Sequence, residues 1–301
     1  MASLFEKLIE DIQDHHETVF SVIEMTDSGI QSKDLVPAPA TRYSYSISKG
    51  FTATAVGMLE LDGVLSDEDL IYPLFEDLFP ANHDIKWETV KIKDVLHHRS
   101  GLAKPMFSVD CDDFSEYQTD DFLKIMFAEK LDNEVGKEMT YIDGHYYLLS
   151  RVVEKKTGMT LYQFLLENLF NPMHFQGQAW ATCPQGHTMG GSGLSVRTQD
   201  MIKMGWMYLN NGVYEGKRYL SEEWVKKAMD TIPVDQFGDY GYAIQRKAGS
   251  NGDCYFSGAF GQLINIMPRT HRVIALHSYT SNILRIIDNL RIWEDEELQQ
   301  Q

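Results

Sequence analysis

A serine and a lysine three residues apart are the first groups in this sequence that could do covalent chemistry. Ser46-Ile47-Ser48-Lys49 is the one Ser-x-x-Lys segment of the chain, and its spacing places both side chains on one face of a helix. The lysine amine could accept the proton of the serine hydroxyl if burial lowers the pKa of the amine. The N-terminus of a helix would also favour negative charge on the serine oxygen. Alternatively, Lys49 is a surface residue whose stem packs along the protein.

Two other segments contain groups that could assist a nucleophilic serine. In Thr140-Tyr141-Ile142-Asp143-Gly144, the tyrosine phenol could relay protons beside a lysine, although a tyrosine in a turn is more often a packing residue. In Tyr255-Phe256-Ser257-Gly258-Ala259-Phe260-Gly261-Gln262, a glycine within a strand pattern indicates that another group approaches the backbone closely. A backbone N–H there could bind the carbonyl oxygen of a substrate. A β-bulge is the structural alternative.

Other motifs favour structural roles. Tyr208-Leu209-Asn210 ends a predicted helix before Asn-Gly, where helix capping explains it. His97 and His98 do not fit the chain order of the familiar Ser-Asp-His arrangements, and the sequence has no Gly-x-Ser-x-Gly. Residues 110–113 (DCDD) are expected to be a solvated run of charges. The sequence contains no HExxH, Walker or GxGxxG signature.

The elements that must position these groups predict an α+β fold. Strand patterns occur near both ends of the chain, and the middle is mostly helical. Because neighbouring strands are joined by turns, we expect an antiparallel sheet that the first and last segments share. The predicted helices are 4–12, 46–61, 70–80, 93–96, 121–128, 145–156, 197–209, 221–230 and 283–293, and the predicted strands are 19–25, 240–247, 254–257, 263–267 and 272–277.

We expect one compact unit with two parts. Residues 1–62 and 188–301 should form a sheet region flanked by the N- and C-terminal helices, and residues 63–187 should form a mainly helical region.

Composition excludes several classes of protein. The 301 residues are 43% apolar and 24% charged, a balance typical of globular proteins. The 27 basic residues are outnumbered by 44 acidic ones, and the net charge of -17 disfavours nucleic acid and anionic membranes as partners. Cys111, Cys183 and Cys254 are widely spaced, which favours a reducing compartment. With no export signal and no membrane-length apolar run, we expect a cytoplasmic protein.

Taken in order, these segments resemble the serine β-lactamase/penicillin-binding-protein-like superfamily, and within it the class C β-lactamase-like serine hydrolases. That group includes esterases, D-amino-acid peptidases and amide hydrolases. The resemblance extends over roughly residues 19–280. Besides Ser-x-x-Lys it includes Asp94–Leu102, similar to "LLxHxSGL", Tyr141–Leu149, similar to "YSNxxYxLL", Gly190–Leu194, and Gly258–Gln262.

The resemblance implies roles for several residues. Ser46 would be the acylated nucleophile, Lys49 its proton acceptor and Tyr141 the partner general base or acid. The backbone N–H groups of Ser46 and Ala259 would form the oxyanion hole. No cofactor or metal is implied. The family fold is an antiparallel sheet flanked by the terminal helices, with a helical region on the other side of the active site.

The sequence departs from the family pattern at two positions. Asp143 stands where the family has asparagine, and a carboxylate beside Lys49 would hold the amine protonated. Phe256-Ser257-Gly258 replaces Lys-Thr-Gly, so the cation that would bind a β-lactam carboxylate is missing. The triplet 247–249 reads Lys-Ala-Gly, but it comes nine residues too early to take that place.

We therefore expect a serine hydrolase that acts on a small-molecule ester or amide, with Asp143, Tyr255, Ser257 and Gly258 as substrate contacts. One alternative is a non-catalytic relative that keeps the fold and binds a ligand. Another is a true β-lactamase or D-alanyl peptidase. The sequence contains no indication of the oligomeric state.

Overall fold

A computed structural model describes residues 2–234, 238–247, 249–250 and 252–300. Ala248, the middle residue of the Lys-Ala-Gly triplet, lies outside the described residues. The helices are α1 (Leu4–Asp14), α2 (Ile47–Leu61), α3 (Tyr72–Phe75), α4 (Ile92–Leu96), α5 (Phe122–Ala128), α6 (Asp143–Thr157), α7 (Leu161–Leu165), α8 (Thr198–Leu209), α9 (Glu222–Met229) and α10 (Ile283–Leu298). The strands are β1 (Val19–Thr26), β2 (Gly29–Asp34), β3 (Thr41–Tyr43), β4 (Ala179–Trp180), β5 (Leu194–Arg197), β6 (Val213–Tyr214), β7 (Lys217–Arg218), β8 (Ile232–Val234), β9 (Gly238–Tyr240), β10 (Gln245–Arg246), β11 (Cys254–Gly258), β12 (Gln262–Met267) and β13 (Arg272–Ser278).

An eight-stranded sheet forms the centre of the fold, in the order β2-β1-β13-β12-β11-β10-β9-β8. Its strand pairings are antiparallel. The N-terminal strand β1 pairs with the C-terminal strand β13, with Val22 opposite Leu276 and Met25 opposite Val273. Both ends of the chain therefore share one antiparallel sheet, and the predicted α+β fold class is confirmed.

The terminal helices α1 and α10 cover one face of this sheet. α1 buries Leu4, Leu8 and Ile12, which recur every four residues and form one apolar stripe. They belong to an apolar cluster with Leu290 of α10 and Leu276 of β13. Because side chains alternate along a strand, the other half of the strand residues face the opposite side.

Helix α2 packs against that opposite side. Every residue from Ile47 to Leu59 is buried, as the nearly charge-free sequence predicts. At Gly50, a Cβ would lie 2.6 Å from Cδ1 of Phe256 on β11 and 2.6 Å from Cε of Met204 on α8. This close packing fixes the first turn of α2 against β11.

A second, three-stranded sheet leads the chain into α2. β5 pairs with β3 on one side and with β4 on the other, with Arg42 opposite Val196 and Trp180 opposite Leu194. Since β4 comes from residues expected in the helical region, this sheet joins the two predicted parts. The division at residues 62 and 188 stays a prediction.

The helix predicted over residues 70–80 is shorter than expected. α3 covers Tyr72–Phe75 and a 3₁₀ turn over Glu76–Leu78 follows. Pro80 disfavours helical backbone at the residue before it, and Phe79 is extended, with φ of -75° and ψ of 136°.

Among the described residues, every helix is too short or too polar to cross a membrane. The cytoplasmic location stays a prediction.

Candidate active site

Ser46 occupies the turn that joins β3 to α2. It is the N-cap residue of α2, yet its side chain makes no capping hydrogen bond. The preceding residue, Tyr45, has a φ of 48°, which is uncommon for a residue other than glycine. The Ser48 hydroxyl donates a hydrogen bond of 2.6 Å to the Tyr45 carbonyl oxygen and so holds this turn. The partly exposed Ser46 hydroxyl is thereby left for other contacts.

Lys49 lies one helical turn after Ser46, and its side chain is 1% exposed. Its Nζ donates hydrogen bonds to Ser46 Oγ at 2.9 Å, to Asp143 Oδ1 at 2.5 Å and to the carbonyl oxygen of Gly191 at 2.8 Å. The alternative of a surface lysine is therefore wrong. The predicted contact between the Ser-x-x-Lys pair is present.

The charge state of Lys49 follows from two opposing effects. Burial by itself lowers the pKa of the amine, but Tyr141 and Asp143 outweigh burial and raise that pKa above its usual value. Lys49 was expected to accept the Ser46 proton if burial lowered the pKa of its amine, and the pKa is raised instead. The effect expected of Asp143 is present, and Lys49 is an ammonium ion at neutral pH.

Tyr141 and Asp143 reach Lys49 from the start of α6. Asp143 is the first residue of that helix, with Ile142 as its N-cap. The Tyr141 ring centroid lies 4.6 Å from Lys49 Nζ, and the Tyr141 side chain is hydrogen-bonded to Lys49. The backbone at Gly191 fits closely here, since a Cβ on it would lie 2.6 Å from the Asp143 carbonyl oxygen. Three segments far apart in sequence therefore meet at one ammonium group.

The end of β11 lies beside the Ser46 turn. A Cβ on Gly258 would lie 2.5 Å from the Ser44 carbonyl oxygen, so the close approach predicted at this glycine is confirmed. The Phe260 ring meets the Tyr45 ring edge-on at 5.2 Å. Ala259 is held between these two contacts. An oxyanion hole made of the Ser46 and Ala259 N–H groups is compatible with this placement and stays a prediction.

One of the predicted substrate contacts does not face the site. Tyr255 is 4% exposed and packs in the apolar cluster under the terminal helices. Its prediction is wrong because strand alternation turns it away from α2. Ser257 is half-buried, and its hydroxyl donates a 2.7 Å hydrogen bond to Gln245 Oε1 on β10. Its role as a substrate contact stays a prediction. Phe256 faces α2 but is 1% exposed, packed between Gly50 and Tyr208.

Tyr208 has the structural role expected of it. Its side chain is 1% exposed, and its hydroxyl lies 3.1 Å from Thr54 Oγ1. Asn210 is the C-cap of α8, and its amide donates to the Trp206 carbonyl oxygen.

A carboxylate that was not predicted as part of the site lies near the Ser46 turn. Tyr43 donates a hydrogen bond of 2.6 Å to Asp110 Oδ1 and accepts one of 3.0 Å from the Gly193 N–H. Its ring centroid is 4.3 Å from that of Tyr45. Asp110 was expected to be one of a run of solvated charges. It is exposed, but its contact with Tyr43 brings a negative charge next to the segment that carries Ser46.

Comparison with known proteins gives a family match over most of the chain. Residues 39–294 match the Beta-lactamase family model. Protein flp of Staphylococcus aureus (strain COL) is 24% identical over 143 residues, which are 47% of this chain and 28% of that protein. Penicillin-binding protein 4* of Bacillus subtilis (strain 168) is 29% identical over 167 residues, 54% of this chain and 34% of that protein. The matches span about a third or less of these relatives.

Solved structures share the fold at low sequence identity. An octameric penicillin-binding protein homologue from Pyrococcus abyssi superposes with a TM-score of 0.75 at 19% identity, over 97% of this chain and 77% of that one. A family VIII carboxylesterase has a TM-score of 0.75 at 14% identity, over 96% of each chain. A D-stereospecific amidohydrolase from Streptomyces sp. has a TM-score of 0.71 at 14% identity, over 92% of this chain and 95% of that one. The fold expected from the motifs is confirmed.

Proposed function

This chain belongs to the beta-lactamase family, and we propose that it is a serine hydrolase that cleaves a small ester or amide through an acyl-enzyme on Ser46. The observation that carries the proposal is the hydrogen bond of 2.9 Å from the buried Lys49 amine to the partly exposed Ser46 hydroxyl. A buried lysine is rare without a reason. Here its contacts are a hydroxyl, a carboxylate, a phenol and a carbonyl oxygen, which is the surrounding that proton transfer needs.

The proposed chemistry has two halves that mirror each other. In the first, Ser46 Oγ bonds to the carbonyl carbon of the substrate while the hydroxyl proton moves to the Lys49–Tyr141 unit. That proton then passes to the leaving alcohol or amine as its bond to the carbonyl carbon breaks. In the second half, a water molecule attacks the acyl-enzyme and gives a proton to the same unit. The unit returns that proton to Ser46 Oγ as the bond between Oγ and the acyl carbon breaks, and the acid leaves.

Two features support an ester or amide rather than a β-lactam as the substrate. Phe256 stands where a β-lactam carboxylate would need a cation, and its side chain is packed in the core. Among the described residues, the contacts of Lys49 and of the Ser46 turn include the carboxylates of Asp143 and Asp110. The carboxylesterase and the amidohydrolase that share the fold act on substrates of these two classes, according to their names.

The test is covalent labelling. A fluorophosphonate probe should add one adduct to the intact mass, and peptide mapping should place it on Ser46. Ser46→Ala should lose the adduct while it keeps the thermal unfolding midpoint of the parent. A panel of p-nitrophenyl esters and D-amino-acid amides, with the same variant as control, then identifies the leaving group. An adduct on Ser192 or Ser257 instead would overturn the assignment of Ser46.

The ion pair between Lys49 and Asp143 keeps one alternative in consideration. If the ammonium never releases its proton, the same fold would be a binding protein without turnover. That protein would bind esters or amides reversibly and would show no adduct at Ser46 at any pH at which it stays folded.

A further inference from the structure

A chain of three buried polar side chains lies behind Tyr141. Ser100, His145 and His98 are each 0% exposed. Ser100 Oγ lies 2.6 Å from His145 Nε2, and His145 Nδ1 lies 2.9 Å from His98 Nδ1. Burying a polar group costs free energy unless the group is paired. Neither histidine is among the hydrogen-bond partners of Ser46 and Lys49, so we ask what function this row of three side chains has.

His98 holds the segment of Tyr141 from both sides. Its carbonyl oxygen accepts a hydrogen bond of 2.9 Å from the Thr140 N–H, and its ring Nδ1 accepts one of 3.2 Å from the Ile142 N–H. The centroid of its ring lies 4.5 Å from that of Tyr141. Tyr141 is thus flanked on either side by residues bound to His98, and its ring rests against the His98 ring.

The contact with Ile142 favours one tautomer for each ring. Because the Ile142 N–H can only donate, its contact favours His98 Nδ1 as an acceptor without a proton. The ring proton is then on Nε2, a buried atom without a hydrogen-bond partner among the described residues. His145 Nδ1–H then donates to His98, and His145 Nε2 accepts from the Ser100 hydroxyl. Ser100 Oγ in turn accepts from the Leu102 N–H at 3.2 Å, which leaves its own proton for His145.

Both rings are neutral at neutral pH. Burial lowers the pKa of His145 to about 3. Burial also lowers the pKa of His98 well below its usual value, and His145 and Lys49 lower it further. A second proton on His98 would occupy Nδ1 and break its hydrogen bond with Ile142.

We propose that His98 is a positioning residue that holds Tyr141 and Asp143 at Lys49, and that His145 and Ser100 fix the tautomer in which it can do so. The inference rests on the proposed function, since it concerns the placement of the proton-transfer group. The backbone agrees, because His98 has a φ of 58°, a conformation in which asparagine, aspartate and histidine are enriched. His98 therefore contacts both the backbone of the turn before α6 and the ring of Tyr141.

The test compares His98→Ala with His98→Asn. Asparagine tolerates the positive φ, and its side-chain oxygen can accept from the Ile142 N–H, whereas alanine cannot. With a fluorophosphonate probe, His98→Ala should lower the limiting rate constant of Ser46 labelling by about 10²-fold, the usual cost of a displaced catalytic group. His98→Asn should recover about tenfold of that loss. The probe concentration at half-saturation should be unchanged in both, because the probe does not touch His98.

A second measurement needs no activity. Ring ¹⁵N spectra of the histidine-labelled full chain at neutral pH should show His98 protonated at Nε2 and His145 at Nδ1, with Ser100→Ala used to assign the His145 signals. Two results would overturn the inference: a proton on His98 Nδ1, or equal labelling rates in the alanine and asparagine variants while the parent is labelled at Ser46. If the parent itself is not labelled, the proposed function fails, and the spectra still decide the tautomers.

Discussion

The amine of Lys49 and the carboxylate of Asp143 form a direct ion pair, with Nζ 2.5 Å from Oδ1. The lysine side chain is 1% exposed and the aspartate side chain 11%, so water screens the pair poorly. Removing one partner from such a pair leaves the other charge without compensation. The Asp143 carboxylate therefore stabilises the buried Lys49 ammonium and also opposes the loss of a proton from that ammonium. The pKa of Lys49, as set by Asp143, should determine how the reactivity of Ser46 depends on pH.

Asp143→Asn should make the site more reactive near neutral pH. The substitution removes a carboxylate that raises the pKa of Lys49, so the pKa should fall. The Lys49–Tyr141 unit can accept the Ser46 proton only after it has lost one itself, so the rising limb of the labelling rate should move to lower pH. Below that limb, the rate should increase about tenfold for each unit by which the pKa falls. The measurement is the fluorophosphonate labelling rate as a function of pH.

Asp110→Asn is the matched control for that experiment. Asp110 is a carboxylate near the same site, but its hydrogen bond is to Tyr43 and not to Lys49. Asp110 acts on Lys49 only through space, so the limb should move less in Asp110→Asn than in Asp143→Asn. If Asp143→Asn also leaves the limb in place, Lys49 is a fixed cation that takes no part in the proton transfer.

Lys49→Ala and Tyr141→Phe should each slow the acylation of Ser46 by about 10²-fold or more, the usual contribution of general acid–base catalysis. The two side chains are hydrogen-bonded to each other, and residues that act as one unit do not give additive losses. The double variant should therefore be little slower than the slower single variant. The measurement is the burst rate with a p-nitrophenyl ester, and losses that multiply in the double variant would show that the two roles are independent.

Acid should weaken the fold through His277. This residue is 0% exposed, with Nε2 3.0 Å from Ser44 Oγ and Nδ1 2.9 Å from Thr198 Oγ1, and burial lowers its pKa to about 3. The unfolded chain regains the ordinary pKa of about 6.5, so it binds the extra proton first as the pH falls. The stabilisation is present above about pH 6.5 and is lost toward pH 3, at about 1.4 kcal/mol per pH unit.

The test is urea unfolding of His277→Asn across this range. The variant should be less stable than the parent at neutral pH, because it loses two buried hydrogen bonds. The difference in unfolding free energy should shrink by about 1.4 kcal/mol for each pH unit below about 6. Parallel curves for the parent and His277→Asn would show that burial does not suppress the ionisation of His277.

The elements with a clear apolar period could be predicted from the sequence, and those without one could not. The buried helix after Ser46 was predicted to within one residue of its observed start. A long, nearly uncharged run in which β-branched residues are a minority is typical of a buried helix. β2 was missed, since all six of its residues are exposed and an edge strand that faces solvent shows no alternation of apolar and polar residues. The short strands β3, β4 and β5 are set by their pairing with one another, which a local pattern cannot show.

Within the site, spacing along the chain found the groups on α2 and at the start of α6, and three-dimensional placement decided the rest. The prediction for Tyr255 failed because alternation does not say which face of a strand meets the site. From the sequence, Asp110 was predicted to belong to a solvated run of acidic residues. Its contact with Tyr43 joins residues 67 positions apart, and no local pattern indicates such a contact. His98 was set aside as a general base, and in the structure its ring lies against that of Tyr141, with hydrogen bonds from the N–H groups of Thr140 and Ile142.

The last prediction concerns the charge of the substrate: neutral or cationic esters and amides should be turned over better than matched compounds with a carboxylate. No described side chain offers a cation at the third-motif position, where Phe256 packs against Gly50. The nearby basic residues are engaged elsewhere, since Lys247 Nζ lies 2.6 Å from both carboxylate oxygens of Asp288 and Arg246 donates to the Met229 carbonyl oxygen. The kcat/KM for a cationic ester should be at least about fivefold higher than that for its carboxylate analogue. This ratio corresponds to ~1 kcal/mol, the contribution of a partly exposed charge pair.

The carboxylate of Asp110 should be one cause of this preference for cationic over anionic substrates. Its carboxylate is exposed and is held beside the Ser46 turn by Tyr43, so Asp110→Asn should lower the ratio of cationic to anionic turnover and leave the kcat/KM of a neutral ester unchanged. Asp113→Asn is the control, because Asp113 lies in the same acidic run but its carboxylate accepts hydrogen bonds from the N–H and hydroxyl of Ser115 and, among the described residues, has no contact with Tyr43. The ratio in the parent should also fall at high salt, since charges on exposed groups are screened beyond about 8 Å at physiological ionic strength. A preference for the carboxylate compound that persists at high salt would mean that a cation such as Lys247 or Arg246 leaves its partner and reaches Ser46, and the assignment of Phe256 to the third-motif position would then be wrong.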